Sequence, residues 1–150
     1  MATYEVSWDS DSGPGTLRQA ILNANANPGP DTINFGPSFS GVIPSSPLPT
    51  LTGVLTITGK AASMLADLDV GSANLTLDTG MDVPELQGAA GGSLTLGAIL
   101  EVDGGSYGGD IGGSGSLVME GLGTLTLSGS NTFTGGVIVS GKLVAASVGA

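Results

Sequence analysis

Four short β-forming pulses punctuate this chain: Val54–Thr58 (VLTIT), Asn74–Leu77 (NLTL), Ser93–Leu96 (SLTL) and Thr124–Leu127 (TLTL). Their L-T-[IL] triplets begin at positions 55, 75, 94 and 125, so the first two intervals agree to within a single position. Further runs follow the same style at Ile99–Val102, Leu117–Met119, Val137–Val139 and Leu143–Ala145, parted by turns of Gly, Ser, Asn and Thr. No such run buries its apolar side alone, because an isolated strand or hairpin is at best marginal in water. Stacking on near-copies of itself makes such a segment stable, and a period of about 20 residues lies in the solenoid range. Period-two geometry then turns the leucines of each triplet inward and the threonine outward. The wide third interval holds Ile99–Val102 and Leu117–Met119, so a further coil fits inside it. About 5 to 6 coils are expected, a body of about 25–30 Å at ~4.8 Å per stacked strand.

Composition supports an ordered chain. Glycine makes up 27 of 150 residues and charged residues 11%, a balance also found in linkers. The spaced Leu, Val and Ile runs argue against a linker, since disordered chains lack the apolar surface that offsets ordering entropy. The length suits one domain over 1–150. The net charge is −10, with Arg18, Lys60 and Lys142 as the basic residues. Phosphate binding needs clustered cations, so nucleic acid is excluded as a partner, and an anionic membrane surface is disfavoured. There is no cysteine and so no disulfide framework. No window approaches ~18 continuous apolar residues, and barrel-type amphipathic strands are missing, so this segment is not expected to enter a membrane. Met1 runs straight into ATYEVSW without a basic or apolar leader. It is read as standing where a removed signal would be, and the chain as a portion of something longer.

The first 35 residues differ from the rest. Thr3–Trp8 (TYEVSW) alternates and reads as a strand, and Asp9–Gly15 as a turn. Thr16-Leu17-Arg18-Gln19 is a capping box, in which the Thr16 hydroxyl and the Gln19 side chain serve each other's backbone donors. Leu17, Ala20, Ile21 and Ala24 follow with helical spacing, and Pro28 and Pro30 end the helix, expected over about 16–26. A strand at Asp31–Phe35 follows. An amphipathic helix here covers the raw apolar cross-section and open edges of a first coil. The expected organisation is a cap over 1–35 and stacked coils over 36–150. The C-terminal stretch GKLVAASVGA has no such guard.

Two resemblances join this reading. Gly121–Ser140 (GLGTLTLSGSNTFTGGVIVS), within 107–147, is similar to the β-strand repeat of autotransporter passengers, which Gram-negative bacteria export to their surface. Residues 9–35 resemble the opening segment of secreted bacterial β-helix proteins, with Thr16-Leu17-Arg18-Gln19-Ala20-Ile21 matching its core. The resemblance implies an all-β, right-handed parallel β-helix with an N-terminal capping helix, extracellular or on the cell surface. It implies a rigid adhesin-type rod with a host or matrix surface as ligand. A chain free of cysteine also agrees with crossing an outer membrane unfolded. Two other functions stay open: self-assembly through the uncapped C-terminal coil, and polysaccharide binding or cleavage along one flank.

Chemical motifs are sparse. Without His or Cys, triads and dyads built on them are absent. Glu5, Glu85, Glu101, Glu120 and nine Asp could supply a carboxylate pair for glycoside hydrolysis, but solvated carboxylates are the ordinary state. No catalytic, cofactor or metal residue is therefore assigned, and no enzyme is expected. Gly136–Lys142 (GVIVSGK) has the phosphate-loop frame, but Leu143 replaces its Ser/Thr and a strand fills the loop. Gly112–Met119 has the frame of a calcium nonapeptide, with Leu117 where the Asp ligand belongs. The pairs Asp9/Asp11 and Asp67/Asp69 share a face on a strand but supply too few oxygens for calcium. Trp8 and Tyr4 are expected to pack under the helix; with Tyr107 they are too scattered to form a sugar platform. Arg18 is expected to pin the cap through Asp9, Asp11 or Asp31, and Asn131 to fix a turn.

Overall fold

The computed structural model describes residues 1–63 and 66–146. It is a parallel β-solenoid of about five turns with one helix near its N-terminus. Three faces wind around a continuous apolar core. The first face stacks β1 (Thr3–Val6), β2 (Pro30–Phe35), β3 (Val54–Gly59), β6 (Asn74–Leu77), β8 (Ser93–Leu96) and β10 (Asp110–Gly113), all parallel. The second carries β4 (Ala62–Ser63), the first halves of β7 (Met81–Gly88) and β9 (Leu100–Tyr107), then β11 (Leu117–Met119) and β13 (Val137–Val139). The third carries β5 (Leu68–Asp69), the second halves of β7 and β9, then β12 (Thr124–Leu127) and β14 (Lys142–Ala145).

Leu55, Leu75 and Leu94 are register partners, so the spacing of the first three triplets is the length of one coil, as predicted. Leu55, Ile57, Leu75, Leu77, Leu94 and Leu96 are buried, and the intervening Thr56, Thr76 and Thr95 face outward. The fourth triplet breaks the series. Leu125-Thr126-Leu127 lies on the third face, against Gly105–Tyr107. On the first face, Ile111 sits over Leu94 after a shortened coil, and Asn131 over Ile111 after one of ordinary length. The stretch Asp110–Gly113 reads as a turn by composition, yet its single Ile faces inward and its glycines lie flat on β8. Ile99–Val102 and Leu117–Met119 both contribute to the second face, in successive coils.

β7 and β9 each run through a corner. β7 passes it at Pro84 and β9 at Asp103, the two positions left out of their ladder, and Gly104 and Gly105 follow directly. Proline lacks a donor and is tolerated in a strand where pairing is interrupted. Past the corner, Tyr107 enters the core fully buried. It fits because its neighbour in the stack is Gly88, where a Cβ would stand 2.7 Å from the ring. The Tyr107 hydroxyl is buried without a hydrogen-bond partner, and burial, then Asp110, pushes its pKa up to about 12. Removing an unserved buried hydroxyl relieves a desolvation cost. Tyr107→Phe is therefore expected to hold or raise stability by about 1 kcal/mol in urea unfolding; a loss above that size means the hydroxyl is bonded.

The cap follows the sequence reading with two corrections. Helix α1 (Leu17–Ala26) buries Leu17, Ala20, Ile21 and Ala24 and packs against β1 and β2. Thr16 Oγ1 accepts from the Gln19 amide at 3.4 Å, but the Gln19 side chain donates to Asn23 Oδ1 at 2.9 Å, so only half of the capping box forms. The Thr16 amide is already served by the Gly13 carbonyl. Trp8 is 64% exposed and does not pack under the helix. β1 stops at Val6 because the amides of Ser7 and Trp8 both donate to Gly15 O, which turns the chain outward and lays the indole over Gly15. Tyr4 does pack against the core, and its hydroxyl donates to Asn23 O at 3.4 Å.

Candidate functional site

Of the three carboxylates open to Arg18, the fold selects Asp11, at 2.7 Å. The same guanidinium donates to Ser46 O and Pro47 O, so it ties the 9–15 turn and the 40–52 loop to the helix. The Ser45 hydroxyl, then Arg18, hold the Asp11 carboxyl below its ordinary pKa, and the Ser40 hydroxyl and amide do the same for Asp9. Asp9 and Asp11 are thus occupied in fastening the loop. Asp69 accepts from Thr50 and from the Gly71 amide. Burial, then the charge of Glu85, raises Asp67. Among the described residues, no group of three or more His, Cys, Asp or Glu side chains is placed to hold a metal ion. Asn131 is buried above Ile111 and donates to Gly129 O at 3.0 Å, within the turn it was expected to fix.

On the second face, a shallow cleft of about 370 Å³ runs over Ala61, Gly80 and Ile99, edged by Ser63, Asp82 and Glu101. Ser63 also edges a neighbouring cleft of about 440 Å³ lined by Asp9, Ser40 and Ile43. Asp82 accepts from the Ser63 hydroxyl at 2.8 Å and is the register partner of Glu101. Burial, then Glu120 and Asp82, raise the pKa of Glu101. Paired carboxylates carry glycoside hydrolysis when they flank the scissile bond from opposite sides. Here Asp82 and Glu101 stand side by side on one sheet face, and Tyr107 is buried away from solvent. Glu5 lies on the first face, bonded by Asn34, and Glu85 lies beyond the corner of β7, bonded by Gln87.

The raised pKa of Glu101 has a definite sign. Its ionised form opposes folding, and that opposition is relieved as pH falls through the folded-state value and is gone below the unfolded value of about 4.3. Glu101→Gln is therefore expected to raise the unfolding midpoint at pH 7, with the difference from wild type closing near pH 4. Asp9 and Asp11 carry the opposite sign and cancel in this comparison. Chemical denaturation at the two pH values checks it; equal midpoints at pH 7 would refute it.

The most regular chemistry lies on the first face. Register partners place Thr3, Thr32, Thr56, Thr76, Thr95 and Gly112 in one outward column, and Thr132 follows beyond Gly112, its amide donating to Ile111 O. Among the described residues the hydroxyls of Thr32, Thr56, Thr76 and Thr95 bond no other protein group. The corresponding outward columns elsewhere are mixed: Ser63, Asp82, Glu101, Val118 and Ile138 on the second face, and Asp69, Gln87, Ser106, Thr126 and Val144 on the third. Strand propensity for threonine acts on every face, so it does not by itself produce a repeat on one. The middle residue of the 55, 75 and 94 triplets was the sequence signal for this column.

The segment that closes the last coil decides the family likeness. Residues 117–141 match the family model described as passenger-associated-transport-repeat. The matched segment begins at β11, runs through β12 and ends after β13, so it covers one circuit of the solenoid, from Leu117 to its register partner Val137, and the strand that begins the next. This bears out the autotransporter resemblance read within 107–147; Ser147 lies outside the described residues. Searches of curated proteins and of solved structures return no match. A passenger repeat in a stacked solenoid fits a secreted or surface-exposed passenger segment.

Proposed function

We propose that this chain is a non-enzymatic, adhesin-type passenger segment, a rigid rod that displays its outer faces away from the cell. The observation that carries the reading is the passenger repeat at 117–141, which forms one coil stacked in register on those before it. A rod of this kind works mechanically: main-chain hydrogen bonds and an apolar column fix the spacing of everything outside. The threonine column is the surface with the most regular chemistry, one hydroxyl and one methyl at each rung from Thr3 to Thr95, spaced ~4.8 Å apart, and it offers these to an extended host or matrix ligand.

The whole chain, fused between an export signal and an outer-membrane translocator barrel, tests this. Antibody labelling of intact cells is expected, with adhesion to matrix or glycan surfaces that falls several-fold when Thr56 and Thr76 are changed to Lys. Retention inside the cell would overturn the passenger reading, and unchanged adhesion would overturn the role of the column. Release of sugar from a polysaccharide panel would overturn the non-enzymatic reading.

Self-association is a second reading, favoured by one observation. β13 and β14 lie at the ends of their sheet order, and Ile138, Val139 and Val144 are exposed there. Light scattering over a concentration series distinguishes it, since a single monomer mass throughout would end it. Val148–Ala150, part of the unguarded stretch noted in the sequence, lie outside the described residues.

A further inference from the structure

We propose that the shallow cleft on the second face is a docking groove for a lysine-bearing segment of a partner protein, laid in extended form along the solenoid axis. Ala61, Gly80 and Ile99 belong to successive rungs, because the Ala62 amide donates to Gly80 O and the Met81 amide to Ile99 O. They make the floor of the cleft of about 370 Å³, and Ile99, 49% exposed, stands at one end of it. Gly80 is bare without any demand from the backbone: a Cβ there would meet Ala61 Cβ at 3.5 Å and Ile99 O at 3.8 Å, both ordinary contacts. The fold would accept a side chain at this position, so the open floor is not a packing requirement. Past Ser63 the groove runs on into the cleft of about 440 Å³, where Ile43 is 73% exposed.

The wall of the groove carries one sign of charge. Asp82 and Glu101 are register partners in adjacent rungs, ~4.8 Å apart along the stack, and the charge of Glu120 also acts on Glu101. No cation is among the groups acting on Glu101. Lys60 acts on Asp9 instead, and the one ion pair among the described residues is Arg18 with Asp11, in the cap. A row of carboxylates close enough to repel one another, set over an apolar floor, is complementary to an ammonium on an apolar stem. The head pairs with the carboxylates while the methylenes cover Ala61 and Ile99. A bare metal ion would gain too few oxygens and leave the floor uncovered, and a neutral sugar would leave the charge unanswered. Two rungs span about 10 Å, the reach of about three residues of extended chain. A lysine and an apolar residue two positions on then face the groove together. The proposal is independent of the passenger reading and of the threonine column on the first face.

The probe is a fluorescein-labelled peptide in which Lys and Leu alternate with Ser, added to the purified whole chain and followed by fluorescence anisotropy. Saturable binding is expected, weakening as salt rises, and the same peptide with Glu in place of Lys is expected not to bind. Asp82→Asn and Glu101→Gln together are expected to weaken binding at least about tenfold. Ala61→Trp, which fills the floor from an exposed position, is expected to do the same. Glu5→Gln with Asp78→Asn removes as much charge from the first face, and is expected to change binding by less than about twofold. Absence of binding by the unaltered chain, an equal loss from the two charge pairs, or full binding by Ala61→Trp would overturn the proposal. Competition by a free alkyl diamine as strong as by unlabelled peptide would overturn a protein segment as the occupant. Should the variant at Asp82 and Glu101 fail to fold, Ala61→Trp and the Glu peptide decide the matter by the same readout.

Discussion

Replacing Gly105 with alanine is expected to abolish the native solenoid or to lower its unfolding midpoint by about 10 °C or more, a cost above about 3 kcal/mol. Gly105 stands where β9 leaves its corner, in the inward column between Leu86 and Leu125. Its φ is +127°, a conformation L side chains rarely adopt, and a Cβ there would sit 2.1 Å from Leu86 O and 2.7 Å from Leu86 N. Both contacts are backbone, so no rotamer change relieves them; the coils must separate, and with them the ladder between β7 and β9. Gly53→Ala is the matched control. Its φ is +75°, but nothing lies within 4 Å of the added Cβ, so only the left-handed strain of about 1–2 kcal/mol applies. Circular dichroism melts of the two variants check the contrast. Similar midpoints would mean that the coils are not in close backbone contact at that corner.

Leu94→Ala is the second large effect, expected to cost about 3 kcal/mol in urea unfolding. Leu94 is fully buried between Leu75 below and Ile111 above. Those partners belong to strands fixed on both sides, so the site cannot collapse around the missing atoms, and the cavity term adds to the lost transfer energy. Thr95→Ala, one residue on and facing out, is expected to change stability by less than about 0.5 kcal/mol. Equal costs at 94 and 95 would mean that the inward and outward assignments are wrong.

These two positions show what was and was not legible beforehand. Leu94 could be read from the sequence because alternation and spacing act together: the triplets at 55, 75 and 94 repeat at the length of one circuit and bury the same side. The helix stripe Leu17, Ala20, Ile21 and Ala24 was legible for the same reason. Gly105 was not, because DGGSY has the composition of a turn, and only the neighbouring coil shows it to be a strand rounding a corner. β7, with Pro84 in its middle, was not read as a strand at all. The triplet at 125 misled because local alternation is the same on every face, and nothing local says which face a strand will join. Trp8 failed on a backbone detail, the claim of Gly15 O on two successive amides. The pairing of Asp82 with Glu101 depends on which residues stack together across coils. A single strand carries no mark of that.

The coils also differ in length while their inward columns stay in step. The first circuits, from Thr3 to Thr32 and from Thr32 to Thr56, are the long ones, and the circuit from Leu94 to Ile111 is short. The surplus goes into the helix and the 40–52 loop, and the shortfall comes out of a bend. Length is thus free to vary at the corners while the ladder keeps count. A peptide grafted at the open bend of Gly136, where a Cβ meets nothing within 4 Å, would ride on the rod without disturbing it. Such a molecule is a ruler, on which cargo can be hung at intervals fixed by the rise of a single rung.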